Sequence, residues 1–413
     1  MIQPQHRLGW VFTGVLFVFV ALWPGPARGL DWHRWRGPDL NGVSKETGWR
    51  SAWPKEGPKQ LWKASVGQGY SSVSVSQGRL YTMGVVAGQE TVWCLDAHTG
   101  AEIWKHSYPY VFKPQYYDGG SSVTPTVDGA SVYTLGQSGE LNCFEAATGK
   151  TRWSENIQKE LAVKVGDWGF ASSPLVQDDW LVLNVGSGGT AVEKATGKVV
   201  WTTGPEANGY SSAVPFTIGG QRGVALFVAK AVVGVELQTG KELWRYPWKT
   251  DYDVNAADPI IIEGGQVFIS SGYKRGCALL KTSDRQASVV WENKAMRNHV
   301  NSCVLVNGFL YGVDDDMDKA PLLRCIELAT GDVKWTYKDF TCGALMAADG
   351  KLIAQGTKGE LMIVEASPTA CKVLAKAQIL GGRCWTTPVL SNGRIHCRNS
   401  KGDLVCLDVR AQE

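Results

Sequence analysis

The chain lacks most of the short patterns that name a chemistry. It has no C-x-x-C pair, so a zinc knuckle, a haem attachment segment and a thioredoxin-type site have no support. No two cysteines are adjacent. The G-x-S-x-G, H-E-x-x-H and P-loop patterns are missing. Histidine is scarce, six residues, and they are scattered. Neither sign of charge dominates: 42 basic against 39 acidic residues leave +3 and no basic block, which excludes a nucleic-acid partner on charge grounds. One long apolar run exists, residues 8–23, and it falls short of the ~20 residues of a membrane span.

That run follows a polar start carrying Arg7 and ends at Pro24-Gly25-Pro26. Ala27-Arg28-Gly29 then fits a small-x-small cleavage site, so residues 1–29 are expected to be an export signal, an uncleaved anchor being the alternative. No cysteine precedes Cys94, so no lipid-attachment cysteine follows the signal. The expected mature protein is soluble, periplasmic or otherwise extracytoplasmic, and monomeric. Residues 30–57 read as a separate segment packing on the main domain, residues 58–410. An oxidising compartment permits disulfides. Cys94, Cys143, Cys325 and Cys406 instead share one repeat position, which suggests core thiols. Cys397 and Cys406 flank a turn and would face each other across a hairpin, with reduced thiols expected there too.

What the chain has in quantity is glycine, 48 residues, and tryptophan, 18. They fall into a repeat. CLDAHTGAEIW (94–104), CFEAATGKTRW (143–153), AVEKATGKVVW (191–201), GVELQTGKELW (234–244) and CIELATGDVKW (325–335) align without gaps. Each has an acid at place three, Thr-Gly at places six and seven, and Trp at place eleven. Gly100, Gly149, Gly197, Gly240 and Gly331 accept the positive φ of a tight hairpin. Trp104, Trp153, Trp201, Trp244 and Trp335 sit on the next strand, where a large ring fills the gap between sheets. Degenerate copies end at Trp291 and run over 363–374. A second hairpin precedes each unit, so four strands recur every ~45 residues, the signature of a β-propeller. First hairpins near 70, 121, 171, 211, 256, 301, 343 and 386 make eight blades. The last lacks an outer strand, and KQLWKASV (59–66), with Trp62 in the Trp place, is expected to supply it. The expected fold is all-β: an eight-bladed propeller of four-stranded antiparallel blades closed by an N-terminal strand. A seven-blade ring is the alternative.

The unit D/E-x-x-T-G-x-x-x-W resembles the tryptophan-docking repeat of the pyrroloquinoline-quinone (PQQ) propeller superfamily, which includes quinoprotein alcohol dehydrogenases and BamB-like assembly factors. WHRWRGPDLNGVS (32–44), GFASSPLV (169–176) and RCWTTPVL (383–390) look like segments of exported planctomycete-type members. The resemblance implies architecture and leaves function open. The dehydrogenases of the superfamily would bring PQQ and Ca²⁺ over the channel mouth, a carboxylate base, and often adjacent cysteines, which are absent here.

Asp258 is the best channel candidate, a base or ligand where other blades carry Ser72, Thr124, Ser173, Val214, Ser302, Ala344 and Thr387. The competing reading has it capping a turn or pairing with a channel Arg. Asn255, Asn301, Arg383 and Trp385 are candidate cofactor-binding residues, with Asn298 and His299 in the same loop layer. Asp314, Asp315, Asp316 and Asp318 fail the calcium-loop pattern and are expected to form a solvated loop. No metal ligands are assigned. Aromatics concentrate in the loops of one face: Tyr70, Tyr110, Tyr116, Tyr117, Trp168, Tyr210, Trp248 and Tyr252. They form a binding surface or a seal over the core. The favoured expectation is a non-catalytic, exported scaffold binding a protein or glycan of the cell envelope (BamB-like). The alternatives are a PQQ/Ca²⁺ dehydrogenase acting on alcohols or sugars, and another enzyme using the same mouth on polysaccharide.

Overall fold

The computed structural model describes Met1 and residues 30–411, without Tyr116, Asp284 and residues 317–319. Residues 2–29 of the expected export signal and Tyr116 therefore lie outside the described residues. The described residues form eight antiparallel blades of four strands each, with one short α-helix, Ile157–Leu161. Blades 1 to 7 follow chain order, each running from the innermost strand to the outermost. Blade 8 takes three strands from the C-terminus, and its fourth is Gln60–Ser65, paired with Asp403–Asp408. Trp62 lies opposite Cys406 in that pair. The expected closure holds, and the seven-blade alternative falls. Blade 7 gains a fifth strand, because Val43–Ser44 pairs parallel with Gly343–Ala348 on its inner side.

The repeat residues glue one blade to the next. A Cβ on Gly100 would lie 2.7 Å from the Trp62 ring, and one on Gly197 2.8 Å from Trp153. Gly149, Gly240 and Gly331 stand in the same way against Trp104, Trp201 and Trp291. Each glycine thus serves twice, by a φ between +70° and +78° and by a bare face for the indole of the preceding blade. The indole N–H then donates to the carbonyl at the head of that turn: Trp62 to Ala97 at 3.2 Å, Trp104 to Ala146 at 3.0 Å, Trp201 to Leu237 at 2.9 Å. The acid at place three accepts the turn threonine's hydroxyl, as Glu145 does from Thr148 at 2.6 Å.

Three interfaces depart from the rule, and at one of them the turn of blade 7 lacks Thr-Gly and Trp335 donates to the Ser367 carbonyl at 2.7 Å. The turn of blade 5 has no Thr-Gly, and Trp244 packs 2% exposed in the cluster with Phe216, its N–H without a partner among the described residues. Blade 7 has no docking Trp, and Trp49 of the N-terminal segment joins the cluster there with Ala375 and Val409. All ten cysteines are free. Cys94, Cys143, Cys325 and Cys406 are core residues, at most 1% exposed. The Cys397–Cys406 pairing is corrected: Cys397 lies opposite Val405 and Cys406 opposite His396, so the two thiols point to opposite faces of the sheet.

Candidate binding cup at the channel mouth

A belt of side chains joins the innermost strands. Ser72 N–H donates to Thr124 Oγ1 at 3.1 Å, Thr124 N–H to Ser173 Oγ at 3.0 Å, and Ser173 N–H to Ser212 Oγ at 2.9 Å. Ser212 N–H donates to Asp258 Oδ1 at 2.7 Å, and Asp258 N–H to Ser302 Oγ at 2.8 Å. Asp258 is the belt's member in blade 5. In blade 4 the member is Ser212, two residues before the Val214 expected from the sequence.

The N-terminal segment runs inside the ring. Ser391 of blade 8 donates to Leu30, Trp32 pairs with Val75 of blade 1, and Val127 of blade 2 donates to His33. Leu40 packs on the core of blades 3 and 4, and Val43–Ser44 reaches blade 7. The W-R-G-P stretch carries the crossing. Trp35 Nε1 donates to Asp258 Oδ2 at 2.6 Å. Arg36 donates to the carbonyls of Asn41 and Cys303 and stands 3.7 Å from Asp258. Gly37, at φ +79°, leaves room for the Trp32 ring. Burial raises the Asp258 pKa, and Arg36, Ser212 and Trp35 only partly offset it. Burial likewise lowers the pKa of Arg36. The 3.7 Å separation is long for a charge-assisted bond, so the close carboxylate contacts are Trp35 and Ser212.

Above this floor the loops enclose a cavity of about 290 Å³. Trp35 is its base, and Tyr70, Tyr117, Trp168, Tyr210, Tyr273 and Trp385 line its walls. Tyr70 stacks on Trp385 at 5.7 Å and 25°, and Trp168 meets Tyr210 edge-on at 5.6 Å. Ser122, Asn301, Thr386 and Thr387 add hydroxyl and amide groups. His299 is in the wall, 3.7 Å from Asp315 and edge-on to Tyr273 at 4.8 Å. Burial pushes the Tyr273 phenol up to about 12 and raises Tyr117 and Tyr210 further, so the wall phenols are neutral donors at physiological pH.

The expected face is partly assembled here. Tyr70, Tyr117, Trp168, Tyr210, Asn301, Trp385 and Asp258 come together in the cup. Arg383 stands at the rim, 2.9 Å from Asp118, its guanidinium 4.7 Å from the Trp385 ring. Tyr110 stands behind Tyr117, both bonded to the Gln137 amide at 2.6 Å. Tyr252 is exposed outside the cup, edge-on to Tyr273. Three readings are corrected. Trp248 is fully buried, donating to Ser271 under the Arg275 guanidinium, so it cannot belong to a binding face. Asn255 is fully buried, its amide spent on Val228, Ala229 and Ser271, so it cannot reach a ligand. Asp314, Asp315 and Asp316 are not solvated: Arg297 and Arg324 pair with Asp314, Arg297 pairs with Asp316, and burial, opposed by His299 and Cys342, leaves the Asp315 pKa lowered. Asp318 lies outside the described residues. The sequence reading missed Trp35 and Tyr273. The tight W-R-G-P turn was the available signal for the first, and nothing local marks the second.

The residues of the mouth do not fit PQQ with Ca²⁺. PQQ is a polycarboxylate, and among the described residues the cup wall carries no Lys or Arg. Arg36 lies beneath the floor and Arg383 is engaged by Asp118. Asp258 is held by Trp35, Ser212 and Arg36, and Asn255 by backbone carbonyls, so neither is free to ligate calcium.

A family model described as outer membrane protein assembly factor BamB matches residues 88–337. No curated protein matches the sequence. Among solved structures, BamB from Moraxella catarrhalis superposes with a TM-score of 0.63 at 13% identity, covering 85% of this chain and 99% of that one. Quinohemoprotein alcohol dehydrogenase from Comamonas testosteroni superposes with a TM-score of 0.70 at 14% identity, covering 93% and 81%. ADHIIG, the quinohemoprotein alcohol dehydrogenase from Pseudomonas putida HK5, gives 0.68 at 12% identity, covering 93% and 80%. At such identities the likeness is one of fold. With more than half its length matched by the family model and eight four-stranded blades, the chain belongs to the PQQ-repeat propeller family described as outer membrane protein assembly factor BamB.

Proposed function

We propose that this chain is an exported, non-catalytic scaffold of the cell envelope that binds a protein or glycan at the channel mouth. The observation that carries the reading is the cup itself, with an aromatic lining that includes Trp35. Aromatic concavities rimmed by polar groups suit recognition. The apolar run over 8–23 and the family's assembly-factor name support the location. The carboxylate at the base is engaged on both oxygens, which favours binding over acid–base chemistry.

The test is retention of envelope components by the immobilised chain. Trp168→Ala and Tyr117→Ala are expected to lose the retained set, and an unchanged set would count against this face. The dehydrogenase alternative is tested by adding PQQ, Ca²⁺ and alcohols with a reducible dye. No turnover is expected. Turnover lost in Asp258→Asn would replace the scaffold reading.

A further inference from the structure

We infer that the cup takes a neutral sugar ring, the terminal unit of a glycan. This rests on the reading of the mouth as a binding face and names its ligand. Four features of the cavity select the class. The first is size: about 290 Å³ is at the low end for a small-molecule pocket, enough for a chain's end and too little for a folded surface. Trp35, held by Asp258, lines the cavity at the level of the hydroxyl belt.

The second feature is charge. Among the described residues the wall has no Lys or Arg, its histidine stands 3.7 Å from Asp315, and its one carboxylate, Asp258, is already bonded and beside Arg36. An anionic ligand would lose its hydration with no opposite charge to replace it. The third is aromatic geometry. The Tyr70–Trp385 stack and the Trp168–Tyr210 edge pair set the lining rings in more than one plane. Such rings suit the C–H surfaces of a pyranose, and also a quaternary ammonium.

The fourth feature separates those two. Ser122, Asn301, Thr386 and Thr387 line the same cavity. The Thr386 hydroxyl and the Trp385 indole N–H have no partner among the described residues. An ammonium or an aliphatic side chain offers these groups no bond and leaves them unsatisfied. A polyhydroxylated ring stacks on the aromatics and also supplies hydroxyls to the polar groups. Asp258 is not free to balance an ammonium either.

The experiment titrates the full chain with maltotriose, cellotriose, mannotriose and triacetylchitotriose, with choline chloride as the cationic arm, by calorimetry and tryptophan fluorescence. At least one trisaccharide is expected to saturate at one site per chain, with choline inert. Trp168→Ala is expected to weaken it at least tenfold. Thr386→Val, which keeps the shape of the wall, is expected to weaken it by about three- to tenfold. Binding of choline alone, of none of the four sugars, or of a sugar with unchanged affinity in both variants would overturn the inference. If envelope partners are lost in Trp168→Ala while no sugar binds, the mouth remains a binding face and only its ligand class is wrong.

Discussion

Glu90→Gln should make the protein more stable as the solution becomes more basic. Glu90 lies in the strand Gln89–Asp96 of blade 1 and is 2% exposed. One carboxylate oxygen accepts the Gln137 N–H at 3.3 Å, and the Ser121 and Tyr108 hydroxyls lie beside the group. Burial, then the neighbouring Glu140 charge, push its pKa from the ordinary 4.5 to about 7, against hydrogen bonds that pull it down. A raised acid is protonated more readily in the folded chain than in the unfolded one. Its contribution is therefore fully present below 4.5 and is lost as pH rises through 7. Integrating that gap from pH 5 to pH 8 gives a loss of roughly 2.5 kcal/mol. Glutamine copies the neutral acid and does not titrate. Urea unfolding of both proteins at several pH values reads the difference directly. The variant's advantage should grow by roughly 2.5 kcal/mol across that range. Parallel stability curves would refute the reasoning, because a carboxylate that stays ionised at no cost is not desolvated. The Gln137 side chain also holds Tyr110 and Tyr117, so the same pH range should alter the cup's tyrosines.

Trp62→Ala should cost about 3–5 kcal/mol and move the first protease cuts to residues 58–66, because it empties the seam that closes the ring. Gly100→Ala should cost about 1–3 kcal/mol by urea midpoint, since its Cβ meets the Trp62 ring at a positive φ. Asp258→Ala leaves Arg36 buried without its carboxylate and should cost about 3–5 kcal/mol, whereas a chelator should change nothing in the native protein's melting. Burial, then Arg394, lowers the His396 pKa to about 3. A base depressed in this way gives stability that is full above 6.5 and lost as pH falls toward 3, so His396→Leu should flatten the acid limb of the unfolding curve.

The architecture was legible because its determinants are local and repeated. Thr-Gly needs its glycine for φ, and the Trp eleven places from the unit's start needs that same glycine's bare face in the next blade. A pattern imposed once per blade leaves its mark in the sequence, even though the contact it encodes spans tens of residues. Trp62 was readable as the missing partner because it occupies the same place in a strand without a blade of its own. Where the pattern lapses the structure improvises. Trp244 has no Thr-Gly turn to dock on, and Trp49 comes from outside the repeat to join the core at blades 7 and 8. No local rule connects residue 49 to a strand ending near residue 378.

The cup was harder to read, and Asp258 shows why. Its strand position singled it out correctly, but its environment is set by Trp35 and Arg36, 223 and 222 residues earlier in the chain. A carboxylate among hydroxyls suggests chemistry until the indole that caps it is located. The blade 4 belt residue was misplaced by two, from Ser212 to Val214, because alternation along a strand keeps the same face at every second residue. Register there is fixed by the N–H of Ser173 and the carboxylate of Asp258, both in neighbouring blades. Loop aromatics carry still less positional information. Tyr117 and Trp248 come from similar stretches, yet one lines the cavity and the other disappears beneath Arg275. What decides between them is which loop lies over which, and in a ring that depends on the turn geometry of adjacent blades together. The N-terminal segment is the extreme case: its contacts run across the interior of the ring, from blade 8 to blade 7. Its W-R-G-P turn makes sense only against a carboxylate from blade 5 and a carbonyl from blade 6, which is why composition and spacing alone gave it no role beyond packing.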